Sequence, residues 1–138
     1  MRGASGAATG EEIRGWFREM QACVRAIDYE RAQAIFLPDV VGFGTYGGVL
    51  DGLDTLATDQ WGHVWPTIRE FTFRLDDLRW GVSGDLAWAA CPWDSLGTRA
   101  DSAAFPRPGR ATVILVRHDG RWRAAHTHFS LYPRGVDS

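Results

Sequence analysis

The chain has 138 residues, the length of one compact domain. Apolar residues make up 45 % and charged residues 23 %, which excludes disordered and collagen-like chains. The 15 basic and 17 acidic residues give a net charge of −2. A nucleic-acid-binding domain normally carries a basic excess, so we expect no nucleic-acid partner.

The first ten residues are mostly small, and residues 1–9 predict a flexible tail. They lack the apolar core of a signal peptide. The rest of the chain has no run of about 20 apolar residues, the length of a membrane helix. We therefore expect a cytoplasmic protein without a membrane partner. Cys23 and Cys91 fit no metal-binding or redox spacing, and we expect both thiols to be reduced and buried.

Two helices are predicted next. Thr9 is a suitable N-cap, and the acidic Glu11 and Glu12 favour a helix start. Apolar residues then follow at steps of four and three, the spacing of one helical face. They are Ile13, Phe17, Met20, Val24 and Ile27. Asp28 can cap a second helix over residues 29–36, which Pro38 ends.

The remaining chain predicts one further helix and then a series of strands. Residues 40–43 suggest a short strand, and residues 53–64 a third helix that ends before Pro66. Alternating polarity over residues 71–76 predicts a half-buried strand, followed by strands over 86–93, 111–116 and 122–131. Residues 98–109 predict a polar loop, and Asp119-Gly120 a tight hairpin turn. Helices followed by antiparallel strands indicate an α+β fold with helices packed on one face of a curved sheet.

Three local patterns resemble the SnoaL-like branch of the nuclear transport factor 2-like superfamily, to which the ketosteroid isomerases also belong. They are Phe43-Gly44-Thr45 before Gly52 and a helix, Gly84-Asp85-Leu86-Ala87-Trp88, and Asp119-Gly120-Arg121-Trp122 leading to His126-Thr127-His128-Phe129-Ser130. The last pattern also resembles the association domain of calcium/calmodulin-dependent kinase. The resemblance covers residues 10–132, which leaves 133–138 as a C-terminal tail. It implies a cone-shaped roll with a strongly curved, mainly antiparallel sheet around a cavity, and commonly a homodimer.

The ketosteroid isomerase mechanism does not carry over to this chain. That activity needs a carboxylate base and an oxyanion hole built from a Tyr and a protonated acid. Aligned on Gly52 and Asp28, the position of the base falls near Phe43 and that of the Tyr near Met20. Neither side chain can accept or donate a proton, so the catalytic residues, if any, are unknown.

Aromatic residues are the strongest candidates for the wall of the cavity. Strand alternation and the resemblance together predict this wall: Phe43, Trp61, Trp65, Cys91, Trp93, Thr127 and Phe129. Packing in a plain core is the alternative role for the same rings. The polar groups expected near the cavity are Asp39, Tyr46, His63 and Asp94.

The last strand predicts a second surface. Strict alternation places Trp122, Ala124, His126 and His128 on one face of this strand. The resemblance to the kinase association domain implies that the opposite face, with Thr127 and Phe129, lines the cavity, and that Trp122, His126 and His128 form a homodimer contact. A structural role of the two imidazoles, a role in proton transfer or ligand contact, and a metal site are alternatives. A third metal ligand is missing nearby, so we predict no metal. The GxGxxG letters of residues 42–47 lack a following βαβ unit, so we predict no cofactor.

Three functions remain open. The first is a domain that binds a small hydrophobic molecule in a Trp-lined cavity, without assigned chemistry. The second is an isomerase, lyase or cyclase acting on a ring-containing or polyketide-like substrate. The third is a homo-oligomeric assembly domain whose surface matters more than its cavity. The apolar wall is clear in the sequence and a general base is not, which favours the first.

Overall fold

The computed structural model describes residues 3–133. Helix α1 spans Gly3–Ala26 and α2 spans Tyr29–Gln33. Helix α1 begins six residues before Thr9, so residues 3–9, predicted as part of a tail, are helical. Residues 1–2 of that tail and residues 134–138 of the predicted C-terminal tail lie outside the described residues. Helix α2 is capped by Asp28 as predicted and ends before residue 36, because Phe36 already opens a strand.

The middle of the chain is irregular. Strand β1 (Phe36–Phe43) pairs with the short β2 (Val49–Asp51), and a helical segment follows. That segment consists of α3 (Leu53–Thr55), a π-helical stretch (Leu56–Trp61), α4 (Gly62–Val64) and a 3₁₀ turn (Trp65–Thr67). The predicted third helix over residues 53–64 is therefore present, but its hydrogen-bond pattern changes twice along its length and once more at the 3₁₀ turn that follows.

The sheet is formed by eight strands in the described residues. Following β2 they are β3 (Arg69–Phe73), β4 (Arg79–Ser83), β5 (Leu86–Thr98), β6 (Ala104–Pro106), β7 (Gly109–His118) and β8 (Arg121–Leu131). Their order is β2-β1-β8-β7-β5-β3, with β4 and β6 also paired to β5. Residues 98–109, predicted to be a loop, thus contain a strand. All pairs are antiparallel except β1 with β8. The predicted fold class, an α+β roll with a curved and mainly antiparallel sheet, is confirmed.

Helix α1 buries its apolar face on the concave side of this sheet. Phe17 is fully buried and meets Phe73 edge to face, with 4.8 Å between ring centroids. The Trp16 indole donates a hydrogen bond of 2.9 Å to the Ile35 carbonyl and so ties α1 to the start of β1. The predicted apolar stripe therefore forms the core, apart from its last member, Ile27, which is exposed at 41 %.

A β-bulge in β8 changes which residues share a face. Ile114 pairs with His126 and Leu115 pairs with Ala124, so Ala125 has no partner on β7. The extra residue reverses the alternation of side chains along the strand. Trp122 and Ala124 consequently lie on the concave side, the same side as Thr127, and both are buried. The prediction that Trp122 and Ala124 share a face with His126 and His128 is wrong, because it assumed unbroken alternation.

Within residues 3–133, no helix has both the length and the apolar character needed to cross a membrane.

Replacement of Phe17 by Ala tests the core. We expect the free energy of unfolding to fall by about 3–5 kcal/mol, the usual cost of removing a buried Phe. Chemical denaturation followed by circular dichroism measures the change. Arg18→Ala is the control: Arg18 is exposed and its ion pair with Glu11 is on the surface, so the loss should stay below about 1 kcal/mol. Equal effects of the two substitutions would contradict the assigned core.

Candidate functional site

A small cavity lies between α1, the helical segment of residues 53–67 and the concave face of the sheet. Its wall contains five aromatic rings and five aliphatic side chains: Trp61, Trp65, Phe71, Trp93 and Phe129, with Met20, Val24, Leu56, Val64 and Ile68. Four polar side chains also reach it: Thr45, Gln60, Arg107 and Thr127. An apolar wall with a few polar groups is the usual form of a small-molecule site.

Stacked rings form the helical side of the wall. Trp61 and Trp65 lie four residues apart and stack at 4.8 Å between centroids and 15° between planes. Tyr29 stacks on the outer side of Trp65 at 5.3 Å. On the sheet side, Trp93 and Phe129 lie 6.2 Å apart. Each ring is supported by another ring, which restricts its rotamers and keeps the wall in place.

The open space is limited. The enclosed part of the cavity measures about 40 Å³, and the space with the open mouth included is about 480 Å³. The enclosed part holds a few water molecules, at roughly 10–15 Å³ each, so a ring-sized ligand also occupies the open part. A compact ligand therefore fits this cavity better than a long one.

A chain of hydrogen bonds connects the polar groups at one end of the cavity. The buried Gln60 accepts a bond of 2.9 Å from the Tyr46 backbone through Oε1, and its Nε2 donates to Thr45 Oγ1 at 3.2 Å. Arg107 donates to the same Thr45 oxygen at 2.9 Å. These bonds hold the loop after β1 against both the helical segment and the loop before β7.

Arg107 is anchored through its backbone. Its N–H donates to the Ser95 carbonyl at 2.8 Å, and Ser95 Oγ donates to the Arg107 carbonyl at 2.7 Å. Its guanidinium lies 5.7 Å from the centroid of the Trp93 ring. Burial lowers the pKa of Arg107, which still remains charged because an arginine titrates far above neutral pH.

Trp93 has an unusual environment. Its Nε1 is buried and has no hydrogen-bond partner among the described residues. The ring also lies against Gly109, where an added Cβ would come within 2.2 Å of Trp93 Cζ2. Only glycine leaves room for the indole at this point, so Gly109 sets the position of Trp93 in the wall.

Six of the seven residues that the sequence predicts for the cavity wall border the cavity: Phe43, Trp61, Trp65, Trp93, Thr127 and Phe129. Phe43, however, turns its ring to the convex face of the sheet, against His126 and His128. Cys91 does not line the cavity. It lies in the core on the concave side of β5, and its thiol faces the Arg74 carbonyl at 3.4 Å. The alternation of side chains along β5 predicted the face on which Cys91 lies. It did not predict how far along the strand the cavity extends.

The polar groups were predicted less well. None of the four expected near the cavity lines it. Asp39 is exposed, Asp94 forms a two-bond ion pair with Arg74 at 2.7 Å, and Tyr46 stacks on His63. The polar groups that do line the cavity include Thr45 and Arg107. These two lie in loops, where no periodicity indicates the direction of a side chain.

The sequence contained a signal for the role of Gln60. It lies on the inner side of the predicted third helix, beside Trp61, and is only 7 % exposed. A glutamine at an inward position of a helix indicates a buried hydrogen-bond network, because a buried amide without partners is costly.

The two positions that align with the isomerase machinery both lie in the cavity wall. Phe43 and Met20 line it, and neither can transfer a proton. Among the described residues of the wall there is no carboxylate, imidazole, phenol or thiol. Arg107 is the only charged group there.

His126 and His128 point to the convex face of the sheet. They pack edge to face on Phe43, at 5.1 and 5.3 Å between centroids. His126 Nδ1 lies 2.7 Å from the Val41 carbonyl, which only accepts, so this nitrogen carries a proton. Trp122, predicted to be part of the same surface, instead packs on the concave side, with the Arg117 guanidinium 4.3 Å from its ring.

The roll of a long helix on a curved sheet with an enclosed cavity is the nuclear transport factor 2-like fold. Its solved examples include a superfamily member from Salmonella enterica, with a TM-score of 0.80 and 20 % identity over 95 % of this chain and 96 % of the other. A ketosteroid isomerase-like protein from Erwinia carotovora gives 0.74 and 18 %, over 89 % and 95 %. A protein of unknown function from Pseudomonas putida gives 0.73 and 25 %, over 90 % and 87 %.

The model of the SnoaL-like domain family matches residues 13–134, so the chain belongs to that family. None of the curated proteins matches it.

The two thiols are expected to be unreactive in the folded protein. Burial raises the pKa of Cys91 to about 12 and also raises that of Cys23. The thiolate is the reactive form, and at pH 7 a thiol of this pKa is ionised to about one part in 10⁵. Titration with an aromatic disulfide reagent should detect almost no thiol in native protein and two per chain in denaturant. A rapidly reacting thiol in native protein would contradict the assigned environment of Cys91.

Proposed function

We propose that this SnoaL-like domain binds a small hydrophobic molecule in its aromatic cavity. The observation that carries the proposal is the wall itself: five aromatic rings, two of them stacked on each other, surround an open space with one polar end. Burying apolar ligand surface contributes roughly 25 cal/mol per Å² removed from water. The preformed wall lowers the cost of ordering side chains on binding.

The proposal assigns binding rather than proton transfer to the cavity. Aligned on Gly52 and Asp28, the places where the isomerase mechanism needs a base and an oxyanion donor fall near Phe43 and Met20, which cannot transfer a proton. General base catalysis typically contributes ~10²–10⁴-fold in rate. An arginine cation cannot act as a base near neutral pH. The charged group in this wall is therefore suited to holding a ligand.

Naphthalene is a suitable probe, since it is compact, apolar and uncharged. We expect isothermal titration to give 1:1 binding, and the indole N–H resonances of Trp61, Trp65 and Trp93 to shift in NMR spectra of labelled protein. Val64→Phe places a larger side chain in the wall and should weaken binding at least fivefold. Val49→Phe, the same change at an exposed position of β2, should leave the affinity unchanged.

The same preparation should leave a β,γ-unsaturated ketosteroid unconverted above the buffer rate. Equal weakening by Val64→Phe and Val49→Phe, or no binding at all, would argue against the cavity as the binding site. Isomerisation well above background would mean that a proton-transfer group reaches the cavity after all, and the proposal of a binding domain would fail.

We further propose that the convex face of the sheet forms a homodimer contact. Three residues lie side by side on neighbouring strands of this face: Trp88 on β5, Ile114 on β7 and His126 on β8. The adjoining row includes Phe43 on β1 and His128 on β8. Trp88 is 46 % exposed and Phe43 is 37 % exposed. A continuous exposed apolar face of this kind is typical of a protein–protein contact. Of the residues predicted for this contact, His126 and His128 remain and Trp122 does not.

Ile114→Glu is expected to shift the protein from dimer to monomer, because two buried carboxylates would face each other across a symmetric contact. Light scattering after size exclusion measures the mass. Ile27→Glu, at an exposed position beyond α1, is the control and should leave the mass unchanged. Trp88→Glu should repeat the result of Ile114→Glu. A monomeric parent protein at micromolar concentration would refute the dimer.

A further inference from the structure

The cavity has one charged residue, and it has no counter-ion. Arg107 reaches the wall from the loop between β6 and β7, and no carboxylate of the described residues forms an ion pair with it. Four other arginines, Arg18, Arg31, Arg74 and Arg117, each pair with an acidic side chain, and none of these four lines the cavity. An arginine that is partly removed from water without a carboxylate is costly.

The protein holds this charge in place rather than letting it turn to solvent. Two hydrogen bonds to Ser95 fix the backbone of Arg107, and the side chain donates one bond to Thr45. A guanidinium has five N–H donors. Only one of them is used by the described residues, so most of the donor set of Arg107 is left for another partner.

The neighbouring groups are donors as well. Thr45 Oγ1 already accepts from both Gln60 and Arg107, which uses its two lone pairs. Its own hydroxyl hydrogen is therefore left to donate. Trp93, in the same wall, has a buried Nε1 without an acceptor. The polar end of the cavity thus offers the Arg107 cation and the Thr45 hydroxyl as donors, and the acceptor oxygen of Gln60 there already receives a bond from the Tyr46 backbone.

The geometry points to a ligand with a carboxylate head: a small apolar monocarboxylic acid whose rings lie against the Trp61–Trp65 stack and whose carboxylate binds Arg107 and Thr45. This inference rests on the proposed binding function and adds the chemical class of the ligand. A planar guanidinium fork matches a carboxylate through two parallel hydrogen bonds. The apolar surroundings strengthen such bonds because water does not compete for them.

The size and charge of the site agree with this class. The wall is apolar except at one end, which fits a molecule with a single polar group. One guanidinium balances one negative charge, and burial of a doubly charged head would leave the second charge unpaired. A phosphate monoester is therefore disfavoured relative to a carboxylate.

Three matched ligands test the inference by isothermal titration: 2-naphthoate, its neutral isostere 2-naphthamide, and 2-naphthyl phosphate. We expect 2-naphthoate to bind about tenfold more tightly than the amide, since hydrogen bonds to charged groups contribute more than neutral ones. The phosphate should bind more weakly than 2-naphthoate. Tightest binding of the phosphate would overturn the carboxylate assignment.

Variants locate the effect. Arg107→Met removes the charge and keeps the apolar stem, and it should bring the ratio of the two affinities to about one while the amide binds as before. Arg107→Lys keeps the charge without the fork and should retain part of the preference. Arg110→Met is the matched control: Arg110 is exposed, contacts Ser130 and Tyr132, and does not line the cavity. It should not change the ratio.

The outcomes separate this inference from the binding function. If naphthalene and the amide bind but 2-naphthoate gains nothing, the carboxylate class is wrong and the apolar cavity stands. If none of the four molecules binds, both proposals fail. Amide binding in Arg107→Met shows that the variant is folded. If that variant does not fold, a retained preference in Arg107→Lys supports the inference, and an equal affinity for both ligands overturns it.

Discussion

The β-bulge at Ala125 allows strand β8 to contribute both to the core under α1 and to the cavity wall. Without the extra residue, β8 would send Trp122 and Ala124 to the convex side whenever it sent Thr127 and Phe129 to the cavity. With it, both pairs lie on the concave side. The first half of β8 then packs under α1, and the second half forms cavity wall. The two histidines are left to the convex face. Core, cavity and outer surface all depend on this single change of register.

Stacked and glycine-supported rings in the wall keep the cavity open, because such rings resist collapse into it. Flexible aliphatic side chains tend to fill an internal space, since protein interiors pack densely. Here Trp61 and Trp65 support each other, and Gly109 lets Trp93 lie flat against the backbone of β7. The lack of a Cβ at position 109 is therefore needed for Trp93 to take its place in the wall. The high tryptophan content, unusual for a domain of this size, has a structural explanation at three positions.

The sequence predicted those parts of the fold that repeat with a regular period. The stripe of α1, the Asp28 cap and the Asp119-Gly120 hairpin follow from local chemistry and were predicted. The same alternation gave the inward face of β5, including Trp93. It failed at Trp122 because a bulge adds a residue without any signal in the side chains. It could not place Arg107, because a loop has no period and the position of that side chain depends on a contact with Thr45, 62 residues away in the chain.

The family defines the fold of this chain, whereas the polarity of the cavity determines what the cavity can bind. The fold offers an enclosed apolar space, and the residues at a few positions decide how that space is used. In this chain the described residues of the cavity wall include no carboxylate, imidazole or phenol that could transfer a proton. The charge in the wall is a permanent cation from a loop rather than a titrating acid from the sheet. A site of this polarity stabilises an anion already present in the ligand, whereas an isomerase must stabilise one that develops during the reaction. The charge is also held in place by its bond to Thr45, which suits the recognition of a ligand of fixed charge.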